Sequence, residues 1–267
     1  MFTEDYHVHT EMSFDSNAKL SDICCRAIGV GINEIAITEH YDIGVTEIEE
    51  GNNFDVNKMK ENFEQNKIKY KDKLNIRFGI ELAQPHFDVN KTKEVLKRAD
   101  FDFVLCSLHT DREGKDYYYM NFENVDINKV FDDYLTDLEN MIEFKDFDIL
   151  GHITYPLRYA LKVINKFEIN NHRMHLESFL KKVIKMGKGI EVNLSTLRDG
   201  QSDPMPDYNT IKLYKELGGE IISVGTDSHF ARHVGAGVHD AINELKYLGF
   251  KYIATFENRK LKMKKII

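Results

Sequence analysis

Cysteine is scarce in this 267-residue chain. Cys24, Cys25 and Cys106 are the three present, and no two of them form a CxxC pair. That excludes a thiolate zinc knuckle and a disulfide framework, and it leaves buried free thiols in a reducing cytoplasm as the expectation. Long apolar runs are missing too. No window approaches the length needed to span a bilayer, and the first residues lack a charged-then-apolar signal, so neither membrane nor export is expected. There is no surplus of positive charge. The formal net charge of −8 argues against a surface built for nucleic acid. Glycine-rich phosphate loops, dinucleotide turns and a nucleophile-elbow serine are likewise absent. Without repeats, low-complexity tracts or a linker, residues 1–267 read as a single domain.

What the chain does have is histidine, eleven in all. His7 and His9 close the first strand-like run at i and i+2, a spacing that sends both side chains from one face of a strand. Asp227 and His229 repeat it after the apolar run Ile221–Val224. Between these ends, successive apolar runs finish on His40, Glu81, His109 and His152. A Glu inside such a run needs a partner, because an unpaired buried charge is costly. Strands alternate with amphipathic helical patterns near 21–30, 56–74, 89–98, 125–144, 171–186, 207–217 and 241–248, and a last strand is expected at 251–256. This alternation implies a parallel sheet with helices outside. Ligands at the strand ends favour a distorted TIM-like (β/α)7 barrel, with the site at the C-terminal ends of its strands. His172 and His175 are expected at the surface. His86, His233 and His239 are expected to be structural or to border the substrate.

Imidazole and carboxylate suit Zn, Mn or Fe as divalent ions. Nine candidates, namely His7, His9, Asp15, His40, Glu81, His109, His152, Asp227 and His229, are too many for one coordination sphere, so two or three ions are expected. His7, His9, Glu81 and Asp227 could hold the first, with Glu81 bridging to a second completed by His109 and His152; Asp15, His40 and His229 remain for a third. Closely spaced ions activate a bridging hydroxide and clamp a phosphoryl oxygen, as phosphoester hydrolysis demands.

The order of HxH, Thr38-Glu39-His40, Gly79-Ile80-Glu81, Ser107-Leu108-His109, Gly151-His152 and Asp227-Ser228-His229 resembles the PHP (polymerase and histidinol phosphatase) family over nearly the whole chain. The family's barrel carries up to three metals, and its pattern agrees with the groupings above. Asp15 stands where family members sometimes carry His. The segments around Gly114-Lys115-Asp116-Tyr117, Arg158-Tyr159 and Glu191–Arg198 look most like the monofunctional histidinol-phosphatase branch. The resemblance therefore implies hydrolysis of the small-molecule phosphate monoester L-histidinol phosphate in histidine biosynthesis. Within it, Arg158, Arg198 and Lys115 are expected to contact substrate, since guanidinium binds two phosphate oxygens at once. The acidic loop residues and Tyr117–Tyr119 could meet the amine and imidazole. Glu81, Asp227 and His229 are the expected catalytic groups, with Asp227 and His229 left as alternatives for protonating the leaving alkoxide. A broader phosphoesterase or nuclease of the same family is the alternative reading.

Overall fold

The computed structural model describes residues 2–45, 54–164 and 166–266. Among these, seven parallel strands follow one another in chain order around a barrel. They are β1 (Glu4–Val8), β2 (Glu34–Asp42), β3 (Asn75–Ala83), β4 (Phe103–Ser107), β5 (Ile149–Leu150), β6 (Gly189–Asn193) and β7 (Ile222–Gly225). Closure comes just past β7. The His9 N–H donates to the Ser228 carbonyl (2.9 Å), and the Ser228 N–H donates back to His7 (3.3 Å), bridging the last strand to the first. Helices α1 (Leu20–Gly29), α2 (Val56–Tyr70), α3 (Val89–Leu96), α4 (Ile127–Met141), α5 (Tyr155–Ala160), α6 (Arg173–Lys185), α7 (Ser195–Arg198), α8 (Tyr208–Glu216) and α9 (Val238–Tyr247) fill the connections. Asp55, Asp88, Asp126 and Asp207 start α2, α3, α4 and α8, each accepting backbone N–H bonds that the first helical turn cannot satisfy itself.

The strands are buried on both faces, which is why they read as continuous apolar runs. Outward side chains such as Ile35, Ile76, Val104, Ile190 and Val224 pack under the helices. A smaller inner cluster fills the barrel: Tyr6, Ala36, Phe103, Leu105 and Ile149. An extra residue in β1 feeds both layers. Asp5 lies opposite Ile35 and Val8 opposite Ile37, three residues against two, so Tyr6 packs inside while Val8 packs outside.

The N-terminal end of the barrel is plugged by a hairpin of β8 (Tyr252–Glu257) and β9 (Lys260–Lys265). Ala254 and Phe256 join the inner cluster, and the Phe256 N–H donates to the Tyr6 hydroxyl at 3.0 Å. Asn258 and Arg259 both take positive φ (49° and 62°), the geometry that lets a two-residue turn follow the strand twist. Two buried carboxylates hold that turn to the sheet. Asp102 accepts from the Phe78 and Asn258 N–H groups at 3.0 and 2.9 Å, and Asp148 accepts from Val104 N–H at 2.8 Å and Arg259 Nε at 2.6 Å. The sequence predicts one strand here. Strand β9 has four lysines in six residues, and its two alternating apolar residues, Leu261 and Met263, stay exposed, so it adds nothing to the core.

Other expectations also shift. Strand β2 runs past His40 to Asp42, so the loop expected from Tyr41 begins later, and its residues 46–53 lie outside the described residues. His172 is buried, not at the surface. It ends a 3₁₀ turn before α6, where its ring packs on Phe131 and Phe167 and Nδ1 donates to Asp132 at 2.7 Å. Cys24 and Cys106 are buried as expected, whereas Cys25 is exposed. No helix among the described residues is long and apolar enough to cross a membrane.

Phe256 is 4% exposed and stacks on Phe103 at 5.2 Å between centroids. Phe256→Ala should therefore cost about 3–5 kcal/mol of stability in urea denaturation. A cost below about 1 kcal/mol would show that the hairpin is not part of the barrel core.

Candidate metal centre

The C-terminal strand ends and the loop after β1 collect the residues expected from the sequence into one cluster, buried at its centre and open to the cavity at Asp15 and His229. Strand β1 brings His7 and His9; β2 brings His40, paired in register with Glu81 of β3. His109 and His152 follow β4 and β5, and Asp227 and His229 follow β7. Glu81 is 0% exposed and lies at the centre. Its Oε2 stands 3.1 Å from His7 Nε2, 3.4 Å from His9 Nε2 and 3.0 Å from His40 Nδ1. Its Oε1 stands 3.0 Å from His152 Nε2 and 3.2 Å from His109 Nε2. Asp227 Oδ1 completes the first set, 3.7 and 3.5 Å from the Nε2 atoms of His7 and His9. Asp15, His40 and His229 form an outer set, with Asp15 Oδ2 at 3.0 Å from His229 Nε2 and 3.6 Å from His40 Nε2. The Ser16 hydroxyl ties the loop bearing Asp15 back over the barrel mouth by donating to the His229 carbonyl at 3.0 Å.

These spacings fit divalent ions. Ligand atoms about 2.0–2.2 Å from a shared tetrahedral ion stand about 3.3–3.6 Å apart, and the distances above run from 3.0 to 3.7 Å. The hydrogen bonds agree. His7 Nδ1 meets Glu191 at 2.7 Å, His109 Nδ1 meets Asp42 at 2.6 Å, His229 Nδ1 meets the Asp227 carbonyl at 3.1 Å, and His9 Nδ1 meets Ser13 Oγ at 3.1 Å, with Ser13 donating onward to Glu39. Each ring thus spends its N–H outward and turns the Nε2 lone pair inward, as a metal ligand must. The buried Nε2 atoms of His7 and His9 and Oε2 of Glu81 make no hydrogen bond, a state that proteins rarely leave uncompensated. Overlapping groups of this kind, including His7–His9–Asp227 and His7–Glu81–His152, meet the geometry for holding an ion.

Charge in the cluster is strongly polarised. Burial pushes the Glu81 carboxyl up, but His7, His40 and His109 outweigh it and hold the group well below the usual carboxylate range. Asp227 is held down in the same way by His7 and His9. Burial pushes His109 down, and Asp42 and Glu81 carry it up to about 10. His9 goes the other way, lowered by burial and by the neighbouring His40 and His229. The carboxylates of the cluster are thus held ionised by the imidazoles around them, a role in which bound cations can replace the protons.

The backbone shows strain at the same place. Asp227 and His152 adopt φ of +52° and +22°, costly for residues with a Cβ and tolerated where the surroundings enforce them. Asp5 enforces the first. Its carboxylate accepts from Thr226 N–H (2.8 Å), Thr226 Oγ1 (2.6 Å) and Gly235 N–H (2.9 Å), and so anchors the turn that delivers Asp227.

The cluster floors a cavity of about 660 Å³ that opens to solvent. Arg158 and Arg198 line it, with Tyr118, Tyr119, Tyr155 and Tyr159. Arg158 Nη1 lies 3.3 Å from Asp227 Oδ2, and Arg198 donates to the carbonyls of Thr226 and Asp227. Lys115, expected to contact substrate, is exposed on its loop and is not among the cavity-lining residues; its neighbour Asp116 and Tyr118–Tyr119 are. His233 also lines the cavity.

Sequence reasoning missed Asp42 and Glu191 as partners of the histidines. Asp42 sits two residues after His40 on the same strand face, and Glu191 is a buried Glu in an apolar run, the signal that singled out Glu81.

The PHP domain family model matches residues 5–195. The chain belongs to the PHP family. The family resemblance read from the motifs thus holds. Among curated relatives of this PHP chain, a probable histidinol-phosphatase of Thermotoga maritima is 28% identical over 251 residues, covering 94% of each chain. The histidinol-phosphatase of Lactococcus lactis is 28% identical over 266 residues, covering 96% of this chain and 95% of that one. A crystal structure of histidinol phosphate phosphatase from Lactococcus lactis, complexed with zinc, L-histidinol and phosphate, superposes with a TM-score of 0.86 at 24% identity, covering 97% of this chain and 98% of that one. The distorted barrel is therefore the family's.

Replacing Asp5 by Ala would leave three buried donors without their acceptor. A loss of about 2–4 kcal/mol in equilibrium unfolding is expected, and an unchanged unfolding midpoint would refute the anchoring role.

Proposed function

We propose that this chain is a cytoplasmic, metal-dependent phosphatase that hydrolyses L-histidinol phosphate to L-histidinol and phosphate. The observation that carries the reading is one cavity with a metal-competent floor and two guanidinium groups in its wall. The relatives' activity, at 28% identity over nearly their whole length, names the substrate. His7, His9, Glu81 and Asp227 would hold one ion, Glu81, His109 and His152 a second, and Asp15, His40 and His229 a third. Bound divalent ions would supply Lewis-acid stabilisation of the phosphoryl oxygens and lower the pKa of water to the neutral range.

The chain's own groups do the rest. Glu81 divides its two oxygens between the first two sets, which fixes their separation. Arg158 and Arg198 offer planar donor pairs to the oxygens of a phosphate dianion, on the side facing away from the strand ends. Asp227 is held ionised beside Arg158 and the Nε2 of His229 would face an ion, so the leaving oxygen would take its proton from water in the open cavity. The tyrosines wall the cavity above them, where the imidazole and amine of the leaving alcohol would lie.

The deciding experiment is phosphate release after reconstitution with zinc, manganese or iron, comparing L-histidinol phosphate with an aryl phosphate and a short oligonucleotide. The highest kcat/KM is expected for L-histidinol phosphate, and faster cleavage of either competitor would overturn the assignment. Elemental analysis should find more than one ion per chain, and Glu81→Ala should strip metal and activity while His175→Ala changes neither. One ion per fully active chain would end the multinuclear reading.

For the arginines, Arg158→Ala should lower kcat/KM by about a hundredfold, by analogy with losing a donor to transition-state charge. Arg158→Lys should recover part of that loss, and metal content should stay intact. Arg198→Ala should also lower metal occupancy, because Arg198 braces the Asp227 backbone. Wild-type kcat/KM in both alanine variants would remove the phosphate clamp from the mechanism.

A further inference from the structure

Glu191 lies beneath the cluster and is 1% exposed. Its Oε1 accepts from His7 Nδ1 at 2.7 Å. Its Oε2 accepts from the His152 N–H at 2.9 Å and from Asn193 Nδ2 at 3.1 Å. His7 belongs to the first ligand set and His152 to the second. We propose that Glu191 is a positioning residue that couples these two metal subsites from below, so that removing its carboxylate weakens both ions together. This rests on the metal-centre reading above.

Two different demands meet in this one side chain. At His7 it accepts the Nδ1–H, which keeps the Nε2 lone pair facing Glu81 and Asp227. At His152 it accepts a backbone N–H whose residue is held at φ +22°. Without that acceptor the peptide would relax toward negative φ and swing the imidazole away from Glu81. An ionised carboxylate has acceptors on both oxygens, whereas an amide has one acceptor and one donor group, so no neutral isostere serves both sides. The barrel also makes room for it. A Cβ on Gly225 would stand 2.2 Å from Glu191 Oε1 and 2.5 Å from His7 Cβ. Asp42 differs in reach: among the ligands of the two inner sets, the one it holds is His109, accepting from its Nδ1 at 2.6 Å.

The test uses the full chain loaded with Zn²⁺, with ions per chain followed through a titration with a chromophoric chelator. Melting of the metal-free protein serves as the control for the fold. In Glu191→Ala both inner ions should be lost at chelator strengths about tenfold to a hundredfold lower than in wild type. In Asp42→Asn one of the two should move and the other stay. A folded Glu191→Ala that loses one ion or neither overturns the coupling. If Glu191→Ala does not fold, Glu191→Gln decides. Its single acceptor must abandon either His7 or His152, so at least one ion should weaken about tenfold, and wild-type affinity for both overturns the proposal. A wild-type chain that binds fewer than two ions overturns the metal-centre reading itself, and that result is visible before any variant is made.

Discussion

A fully buried carboxylate facing histidines on both of its oxygens is the constraint around which this barrel is arranged. Glu81 sits where desolvation should keep a carboxyl protonated, and the surrounding imidazoles hold it ionised instead. That arrangement is stable only if positive charge occupies the cluster, as protons on the histidines or as bound cations. The outward hydrogen bonds of His7, His9, His109 and His229 favour cations, since they already commit one ring nitrogen of each as a donor and leave the other free to ligate. In the ladder beside Glu81, β2 sets His40 opposite it, and the ends of β4 and β5 bring His109 and His152 to its other oxygen. The parallel register is therefore also a statement about charge.

The molecule is divided along the barrel axis by this electrostatic need. At the strand C-termini, polar and ionisable groups converge on an open cavity. In the middle, Phe103, Leu105 and Ile149 make a dry layer. At the other end the β8–β9 hairpin seals the barrel, tied down by Asp102 and Asp148. The dry layer matters to the site because it denies water access from below, which keeps the field around Glu81 strong. Strain is placed accordingly. The positive φ values at His152 and Asp227 fall at the cavity end, where Glu191, Asp5 and Arg198 enforce them with hydrogen bonds.

The cavity wall follows from the same logic. Arg158 and Arg198 bring cationic groups close to a carboxylate-rich floor, and each already pairs with Asp227 or its backbone. Arg158 can be buried near the metal-competent cluster because Asp227 and Asp199 offset its charge, and Arg198 because backbone carbonyls accept its N–H groups. A phosphate dianion entering between floor and wall would find positive groups on both sides, while the tyrosine-rich rim offers aromatic faces to an alcohol that carries a ring and an amine.

Much of this was readable in the chain. The i, i+2 pairs His7–His9 and Asp227–His229, and the apolar runs that end on single metal-competent residues, specify strands whose ends must meet, because ligands at those ends serve no purpose apart. The continuous apolar runs and the helical period between them point to a parallel α/β fold, because such strands bury both faces. What the sequence could not determine was which distant residues hold the ligands in place. Asp42, Ser13 and Asp5 act through hydrogen bonds of 2.6–3.1 Å to partners up to 230 residues away, and no local pattern distinguishes them from other polar residues; Glu191 sits in an apolar run as Glu81 does, yet its partners His7 and His152 are set only by the barrel. Lys115 shows the converse. Its loop reaches the cavity, yet the turn at 111–115 points the lysine to solvent and places Asp116 and the following tyrosines inward. Residue type and spacing decided the chemistry, because coordination needs particular atoms on one strand face. Orientation and partnership were decided only by the closed barrel, because they depend on the register between strands that are neighbours in space alone.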